Sequence, residues 1–299
     1  MRIICITSLI LLLAAPAFSQ QLPYHSQYMF NGYLLNPAVA GSTKELPIML
    51  TFRNQWTGFT GAPLTMTLSA HGNFKEKMGI GGALFHDQTG PTSRTGAMAS
   101  YAFHVPMNKT KLSFGLSALV FQYVMDKSEL TTDAPEDNAI DGAVEKKIVP
   151  EANFGILFYG DKFHIGLSVP QLIQMKVDVG YSGSMNKMTR HFFADAAYKF
   201  KVSNDFEIEP SFLFKATEAA PMQIDINAKV LYKELIWLGA SYRSQESIIA
   251  MLGLKKSGFA FGYSYDITLT SIKKYSSGSH EIFLAYYLGG KVKTGKSML

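Results

Sequence analysis

Alternation of apolar and polar side chains is the dominant pattern along this chain. In residues 222–233, MQIDINAKVLYK, every even position is apolar, and the odd positions are polar except for Leu231. Side chains of an extended strand point alternately to its two faces, so this period of two predicts a strand with one apolar and one polar face. Residues 64–71 and 259–267 alternate in the same way. The sequence therefore predicts an all-β protein.

Strand-like segments of this kind recur along the whole chain after the first twenty residues. Most of them are near the roughly 9–11 residues that a tilted membrane-spanning strand needs. No run in the same region is apolar enough to cross a membrane as a helix. The predicted strands are 46–56, 62–74, 78–88, 93–105, 110–124, 151–159, 162–169, 189–201, 206–216, 222–233, 235–243, 247–254, 258–266 and 279–288.

The connections between these strands are sorted by length. Those after even-numbered strands are short, whereas those after odd-numbered strands include the three long ones, near 125–150, 170–188 and 267–278. Bacterial outer-membrane barrels show this parity, because their periplasmic turns are short and their extracellular loops long. The pattern predicts a transmembrane antiparallel β-barrel of about 14 strands in the cell outer membrane, with both termini on the periplasmic side. The alternative is a soluble sandwich, in which the apolar face would form the core.

The orientation of the faces decides what lines the interior. In a barrel, the apolar face of residues 222–233 points to lipid, and Asp225, Asn227 and Lys229 point into the lumen. Charged residues make up 17% of the chain, below the roughly 25% usual for soluble domains, and outer-membrane lipid is the expected surrounding. The net charge is +5, and no basic run is typical of a nucleic-acid-binding arm, so no nucleic-acid partner is expected.

Residues 1–19 are predicted to be a signal peptide. Arg2 precedes an apolar stretch at 3–13, and Ala17 and Ser19 form an acceptable small-residue cleavage site. The only cysteine, Cys5, lies inside this peptide, so the mature chain has no thiol for a disulfide, a nucleophile or a metal site.

Residues 20–45 lack the period of two. They are rich in Tyr, Phe, Asn and Gly, and Asn36-Pro37 and Gly41 interrupt them. Their aromatic content argues against a solvated leader. We predict an N-terminal periplasmic or plug-like segment at 20–45, a barrel at 46–288 and a C-terminal tail at 289–299.

Candidate catalytic chemistry is sparse. His86-Asp87 and His280-Glu281 each place a base beside an acid, but adjacent strand residues point to opposite faces, so neither pair forms a dyad. The other histidines show no metal-ligand spacing, and no nucleophile elbow, phosphate loop or zinc-protease motif is present. No catalytic residue, metal site or cofactor is predicted. A hydrolase with a nucleophile at the barrel rim is the remaining enzymatic hypothesis.

Two other features each allow two interpretations. The acidic segment 126–145 could bind a partner or a divalent ion, or it could be a solvated loop. Aromatic residues near strand ends could form a membrane-interface girdle or serve ordinary packing. They are Trp56, Trp237 and Tyr286-Tyr287.

Three motifs carry a family resemblance. HSQYMFNGYLLNPAVAGS at 25–42 and FRNQWTGFTGAP at 52–63 resemble the start of the PorP/SprF family of Bacteroidota outer-membrane proteins, and GSHEIFLAYYL at 278–288 resembles its closing strand. The resemblance spans essentially the whole mature chain, although this chain continues past the last strand. It implies a barrel associated with the type IX secretion system. Some members of that family belong to the machine or support gliding adhesins, and others help to export one large secreted protein or hold it at the surface.

This resemblance implies a non-enzymatic function. The expected partners are the C-terminal domain of a secreted cargo protein, such as a gliding adhesin, or components of the secretion machine. Residues 36–38 are also loosely similar to the luminal hatch of FadL-type barrels, so the alternative is a transporter of small hydrophobic molecules. Arg53 and Gln55 share one face of the first strand, where they could bond to the N-terminal segment. The candidate plug or partner contacts are Tyr28, Phe30, Asn36, Pro37, Arg53, Gln55, Trp56, His280 and Glu281.

Overall fold

In the computed structural model, the strands form one closed antiparallel sheet. The structure describes Leu22 and residues 25–130, 144–177, 187–218 and 220–289. Each strand pairs with its neighbours in sequence, and β1 pairs with β15 to close the ring. Segments β8 and β9 both pair with β10 and are two parts of one strand, so the barrel has 14 strands, as predicted. The segments are β1 Leu46–Asn54, β2 Leu64–Lys75, β3 Met78–Thr89, β4 Thr92–Met107, β5 Thr110–Asp126, β6 Val144–Gly160, β7 Phe163–Val169, β8 His191–Tyr198, β9 Phe200–Lys201, β10 Phe206–Thr217, β11 Ala220–Tyr232, β12 Ile236–Arg243, β13 Ser247–Lys256, β14 Phe259–Thr268 and β15 Ser279–Leu288.

The two faces of the sheet are distributed as the alternation predicts. In β11, Ile226 is 59% exposed on the outside, whereas Asp225, Asn227 and Lys229 are almost fully buried in the lumen. Leu231, the one residue out of step, is also buried there and packs in a cluster that contains Trp237. The apolar face is thus the outer one, and the soluble-sandwich alternative is wrong.

The barrel has two different ends. The short-turn end carries the turns at 76–77, 108–109, 161–162, 202–205, 233–235 and 257–258, and the long-loop end carries the connections at 55–63, 127–143, 170–190 and 269–278. At the short-turn end, Ser257 and Gly258 both have positive φ, as a two-residue hairpin turn requires. By the parity of outer-membrane barrels, the short-turn end faces the periplasm and the long-loop end the cell exterior.

Strand β6 departs from the prediction. It begins at Val144 rather than near residue 151, so the connection before it is shorter than the predicted 125–150. Pro150 and the neighbouring lysines are typical of loops. Proline is nevertheless tolerated in an edge strand, because the backbone N–H that it lacks would point away from the partner strand. In the described part of the chain, residues 144–153 pair with β5 alone, which makes them such an edge.

Parts of the sequence prediction lie outside the described residues. These are the signal peptide at 1–19, most of the acidic segment at 131–143, and residues 290–299 of the tail. No helix long and apolar enough to cross a membrane occurs among the residues that the structure does describe.

Candidate functional site: a plugged lumen

Residues 25–41, the N-terminal plug, lie inside the barrel. They form three short 3-10 turns, Tyr28–Phe30, Gly32–Leu34 and Pro37–Val39. Before the last turn, the Asn36 side chain accepts the Ala38 N–H at 2.9 Å, and proline occupies the first position, where a missing N–H costs little. The structure therefore places a compact folded segment where the sequence loses its alternation.

The first residues of the plug bind to the seam where the barrel closes. Glu281 of β15 accepts the backbone N–H groups of Ser26 at 2.6 Å and of Gln27 at 2.9 Å. Asp266 of β14 accepts the Ser26 hydroxyl at 2.7 Å and one Arg53 N–H at 2.8 Å. Arg53 of β1 also donates to the Ser26 hydroxyl and lies 3.5 Å from Glu281. All five residues are buried. Buried carboxylates need compensation, and here Arg53 and the donors of the plug supply it to Glu281 and Asp266.

An aromatic cluster lies below this charged network. The Phe30 ring of the plug lies 4.1 Å from the Trp237 ring and 5.2 Å from the Phe283 ring, centroid to centroid. The Lys229 ammonium lies 4.6 Å from the centroid of Phe30, within the range of a cation–π contact. Trp237 is 1% exposed. The girdle interpretation of Trp237 is therefore wrong, because its side chain shares the inward face of β12.

Two plug tyrosines bond to the barrel wall. The Tyr28 hydroxyl accepts an N–H from Asn227 at 2.7 Å, and the Tyr33 hydroxyl lies 2.7 Å from that of Ser100. Burial raises the pKa of Tyr33 to about 12, although the bond to Ser100 opposes this shift. The phenol therefore stays protonated and able to donate at physiological pH.

Strands β3, β5 and β6 contact the plug through four inward-facing glycines, here called the glycine seat. A β-carbon at Gly81 would lie 2.8 Å from the Tyr33 ring, closer than real contacts allow. At the other three positions a β-carbon would overlap plug atoms outright. The seat pairs Gly79 with Ala40, Gly81 with Tyr33, Gly115 with Ala38 and Gly155 with Asn36. The wall is thus shaped to let the plug backbone approach closely.

Hydrogen bonds fix the lower half of the plug on this seat. His104 Nε2 lies 2.9 Å from the Ala40 carbonyl oxygen, and the Ser113 hydroxyl donates to the Ala38 carbonyl at 2.8 Å. Asn36 donates to the Ile156 carbonyl at 3.0 Å. The plug backbone is not paired as a strand is, and hydrogen bonds of this kind satisfy its polar groups inside the lumen.

Further ion pairs line the inner wall. Asp225 lies 3.2 Å from the Lys215 ammonium and 3.1 Å from the Arg243 guanidinium, and Arg243 lies 3.2 Å from Glu246. Lys229 pairs with Glu209 at 2.9 Å. Buried charges are tolerated when they are paired in this manner.

The connection between β7 and β8 folds into the lumen at the long-loop end. Glu151 of β6, which is 2% exposed, accepts the backbone N–H groups of Ile173 at 3.1 Å and Met175 at 2.8 Å. Val177 and Met188 are buried against inward-facing residues of β5 and β6. We call residues 170–177 and 187–190 the inward loop.

A cavity of about 160 Å³ lies in the lumen among the plug, the inward loop and the barrel wall. Plug residues line it on one side and Pro170 and Met188 of the inward loop on another. Most of its lining is apolar, including Phe85, Phe121 and Phe193. Polar and charged residues also line it, among them His25, Asp87, Arg94 and Glu281. This space suits a small apolar group better than a solvated ion.

The structure brings some of the candidate residues together. Tyr28, Phe30, Asn36 and Pro37 are all in the plug and face the wall, and Arg53 and Glu281 bind the start of the plug. All of these side chains lie inside the barrel, where they contact the plug or the wall. Sequence reasoning missed Ser26, Gln27 and Asp266 as members of the same network; the inward parity of Asp266 in β14 was the one available clue.

Three candidate residues lie apart from the plug network. Gln55 follows the end of β1, where its backbone N–H donates to the Pro63 carbonyl at 2.9 Å. Trp56 follows it with φ near +56°, and its N–H donates to the Ser279 hydroxyl at 3.0 Å. His280 is partly buried beside Tyr263, 2.7 Å from its hydroxyl, while its neighbour Glu281 points into the lumen. The pair His280-Glu281 is thus split between two faces, as its position in a strand predicts.

The adjacent residues His86 and Asp87 do not form a catalytic pair, because they bond to different neighbours. Asp87 accepts the Thr65 hydroxyl at 2.7 Å, whereas His86 lies 2.8 Å from the Thr95 hydroxyl on β4. Among the described residues, no group of three or more His, Cys, Asp or Glu side chains is placed to hold a metal ion.

A closed 14-stranded barrel with an apolar outer face and a plugged lumen defines an outer-membrane β-barrel protein. The model of the family PorP_SprF, described as type IX secretion system membrane protein PorP/SprF, matches residues 17–286. The chain therefore belongs to the PorP/SprF family of type IX secretion system membrane proteins, as the three motifs indicate.

The chain is also similar to several solved structures. A FadL homologue of Pseudomonas aeruginosa has a TM-score of 0.51 at 9% identity, covering 91% of this chain and 95% of that one. The toluene transporter TodX of Pseudomonas putida has a TM-score of 0.48 at 8% identity, covering 89% and 94%. Omp33 of Acinetobacter baumannii has a TM-score of 0.44 at 8% identity, covering 82% and 98%. No curated protein matches the sequence.

Proposed function

We propose that this chain is a non-enzymatic outer-membrane subunit that binds a secreted cargo protein, or components of the type IX machine, and so supports export or surface attachment. A gliding adhesin would be one such cargo. The filled lumen is the observation that carries this proposal. A barrel whose own segment bonds to its wall on all sides is not a conduit for a polypeptide, so its role in secretion must come from surfaces at its ends.

The same observation bears on the enzymatic hypothesis. Several lumenal carboxylates of the described residues accept hydrogen bonds from other parts of the chain. Glu281 accepts from Ser26 and Gln27 of the plug, and Glu151 accepts from Met175 of the inward loop. A rim nucleophile would need a free base within hydrogen-bond reach. We therefore propose that the family function requires no catalysis by this chain.

Affinity purification from the native outer membrane in mild detergent tests the proposal. Stoichiometric recovery of a large secreted protein or of type IX components, identified by mass spectrometry, would support it. The matched control is a barrel of unrelated function with the same tag in the same membrane. Recovery of this barrel without such partners would count against it.

The lumenal cavity favours a second candidate, transport of small hydrophobic molecules. Its volume of about 160 Å³ is close to that of a roughly 150 Å³ apolar cavity that binds benzene. Ala83 is buried and lines this cavity, so Ala83→Leu should fill part of it. If transport is the function, benzene should bind the purified protein and bind less well to this variant. If benzene binds detectably to neither protein, the transport hypothesis is rejected and only the secretion role remains.

A further inference from the structure

The plug runs through most of the height of the lumen, and its direction can be read from its contacts. Its last residues lie at the short-turn end. Gly41 packs against Gly79, the second residue after the turn between β2 and β3, and Ala40 lies within hydrogen-bond distance of His104. The His104 backbone N–H itself donates to Lys77 in that turn.

The first residues of the plug lie near the opposite end. Ser26 bonds to Glu281, the third residue of β15, which descends from the long-loop end. It also bonds to Arg53, the last residue but one of β1, which rises toward that end. Asp266, which also bonds to Ser26, is the third residue counted from the end of β14 on the same side. The chain therefore descends from Ser26 to Gly41 and then turns back up into β1.

Leu22 extends this path. It packs in a cluster with Phe193, the third residue of β8 counted from the long-loop end. Beneath it the lumen is occupied by Tyr28, Phe30 and Tyr33, which are almost fully buried. Leu22 thus lies on the long-loop side of the packed plug, where it lines the cavity together with Pro170 and Met188 of the inward loop.

We propose that the chain enters its own lumen from the long-loop end, so that Leu22 lies toward the cell exterior although β1 starts at the periplasmic end. Strand parity alone would instead put both termini on the periplasmic side. The start of the plug, around His25 and Gln27, is then the end of the plug nearer the cell exterior, and Gly41 is the end nearer the periplasm.

The proposal makes a definite claim about accessibility. A short epitope with a flexible linker, inserted between residues 21 and 22, should be bound by antibody on intact cells. The same epitope inserted after Lys77, in the turn between β2 and β3, should be bound only after the outer membrane is permeabilised. Inserted after Lys273, in the loop between β14 and β15, it should be bound on intact cells. Binding of the first epitope only after permeabilisation would overturn the proposal.

A second measurement decides the matter if the insertion prevents folding. The sole cysteine, Cys5, lies in the predicted signal peptide, so single-cysteine variants give an unambiguous label. Gln21→Cys should react on intact cells with a membrane-impermeant maleimide carried on a long linker, at a level at least several-fold above Lys77→Cys. Equal, low labelling of both on intact cells, with labelling of both after lysis, would place the N-terminal side in the periplasm. Neither result depends on which partner the barrel binds.

Discussion

Glu281 and Ser26 are 255 positions apart, yet the Glu281 carboxylate accepts the Ser26 backbone N–H at 2.6 Å. Glu281 belongs to β15, the strand that closes the barrel on β1. Closure of the wall and capture of the plug are therefore made by the same strand. A barrel that has not closed lacks one wall of the site that holds the plug, so the two events should be coupled in folding.

Glu281→Gln should loosen the first turn of the plug without opening the barrel. The amide keeps the shape of the side chain but loses the charge that two backbone donors and Arg53 share. A hydrogen bond to a charged group contributes roughly 1.5–3 kcal/mol, so hydrogen exchange in residues 25–31 should rise by about ten-fold or more. His280→Gln, at the neighbouring outward-facing position, is the matched control. Equal hydrogen exchange in residues 25–31 of the two variants would show that the Glu281 charge does not hold the first turn of the plug.

Arg53→Ala should have a larger effect. It leaves Asp266 and Glu281, both buried, without the cation between them, and breaking a buried ion pair on one side costs roughly 3–5 kcal/mol. Residues 25–40 should become sensitive to protease in the purified barrel. The double variant Arg53→Ala with Asp266→Asn should recover part of the protection, because it removes one uncompensated charge. Unchanged protection in Arg53→Ala would show that this network does not hold the plug.

Sequence alone predicts the strands well and the lumen poorly, for physical reasons. A membrane strand faces lipid on one side and polar lumen on the other, so the alternation in β11 reveals the position of Asp225 directly. Trp237 is different, since Ile236 and Leu238 beside it are also apolar and hide the parity. The contact between Glu281 and Ser26 depends on how the barrel closes and how the plug folds. These residues are far apart in the chain, so no local sequence pattern predicts their contact. The plug itself is detectable only as a loss of alternation.

The start of the plug should hold less firmly in acid, because His25 titrates there. Burial is the largest cause that lowers the pKa of His25 below 6.5; nearby Arg53 lowers it further, and Glu281 and Asp87 oppose the shift. Its ring also lies 3.3 Å from the Thr67 hydroxyl. The folded state therefore binds fewer protons than the unfolded one, so this contribution is fully present above about pH 6.5 and falls below it. Protease protection of residues 25–31 should decline between pH 6.5 and 5.

His25→Asn provides the control for that pH dependence. Asparagine is neutral across the range and keeps a polar group near Thr67. Its protection should vary less with pH than that of the natural protein. An identical decline in both proteins would assign the effect to another group.

Phe30→Ala should remove the centre of the aromatic cluster. Truncation of a buried phenylalanine costs roughly 3–5 kcal/mol, and here it also strips one face of Trp237 and the ring beneath Lys229. The buried Trp237 should then fluoresce at longer wavelength as water reaches the indole. Phe30→Leu, which keeps most of the volume, should shift the emission less. An unchanged spectrum in Phe30→Ala would mean that the indole is shielded by the wall alone.

Gly79→Ala tests whether the barrel wall is shaped for the plug. A β-carbon at Gly79 would overlap the Ala40 carbonyl, and that carbonyl cannot move without disturbing the contact with His104. Overpacking of this kind costs roughly 1–3 kcal/mol, so the temperature at which the folded barrel unfolds on a gel should fall by several degrees. Gly82→Ala, on the same strand, places its β-carbon 3.6 Å from the nearest atom, the Met98 carbonyl oxygen, which is ordinary contact. It should leave the unfolding temperature within a degree or two. If both variants unfold alike, the glycine at position 79 serves the strand rather than the plug.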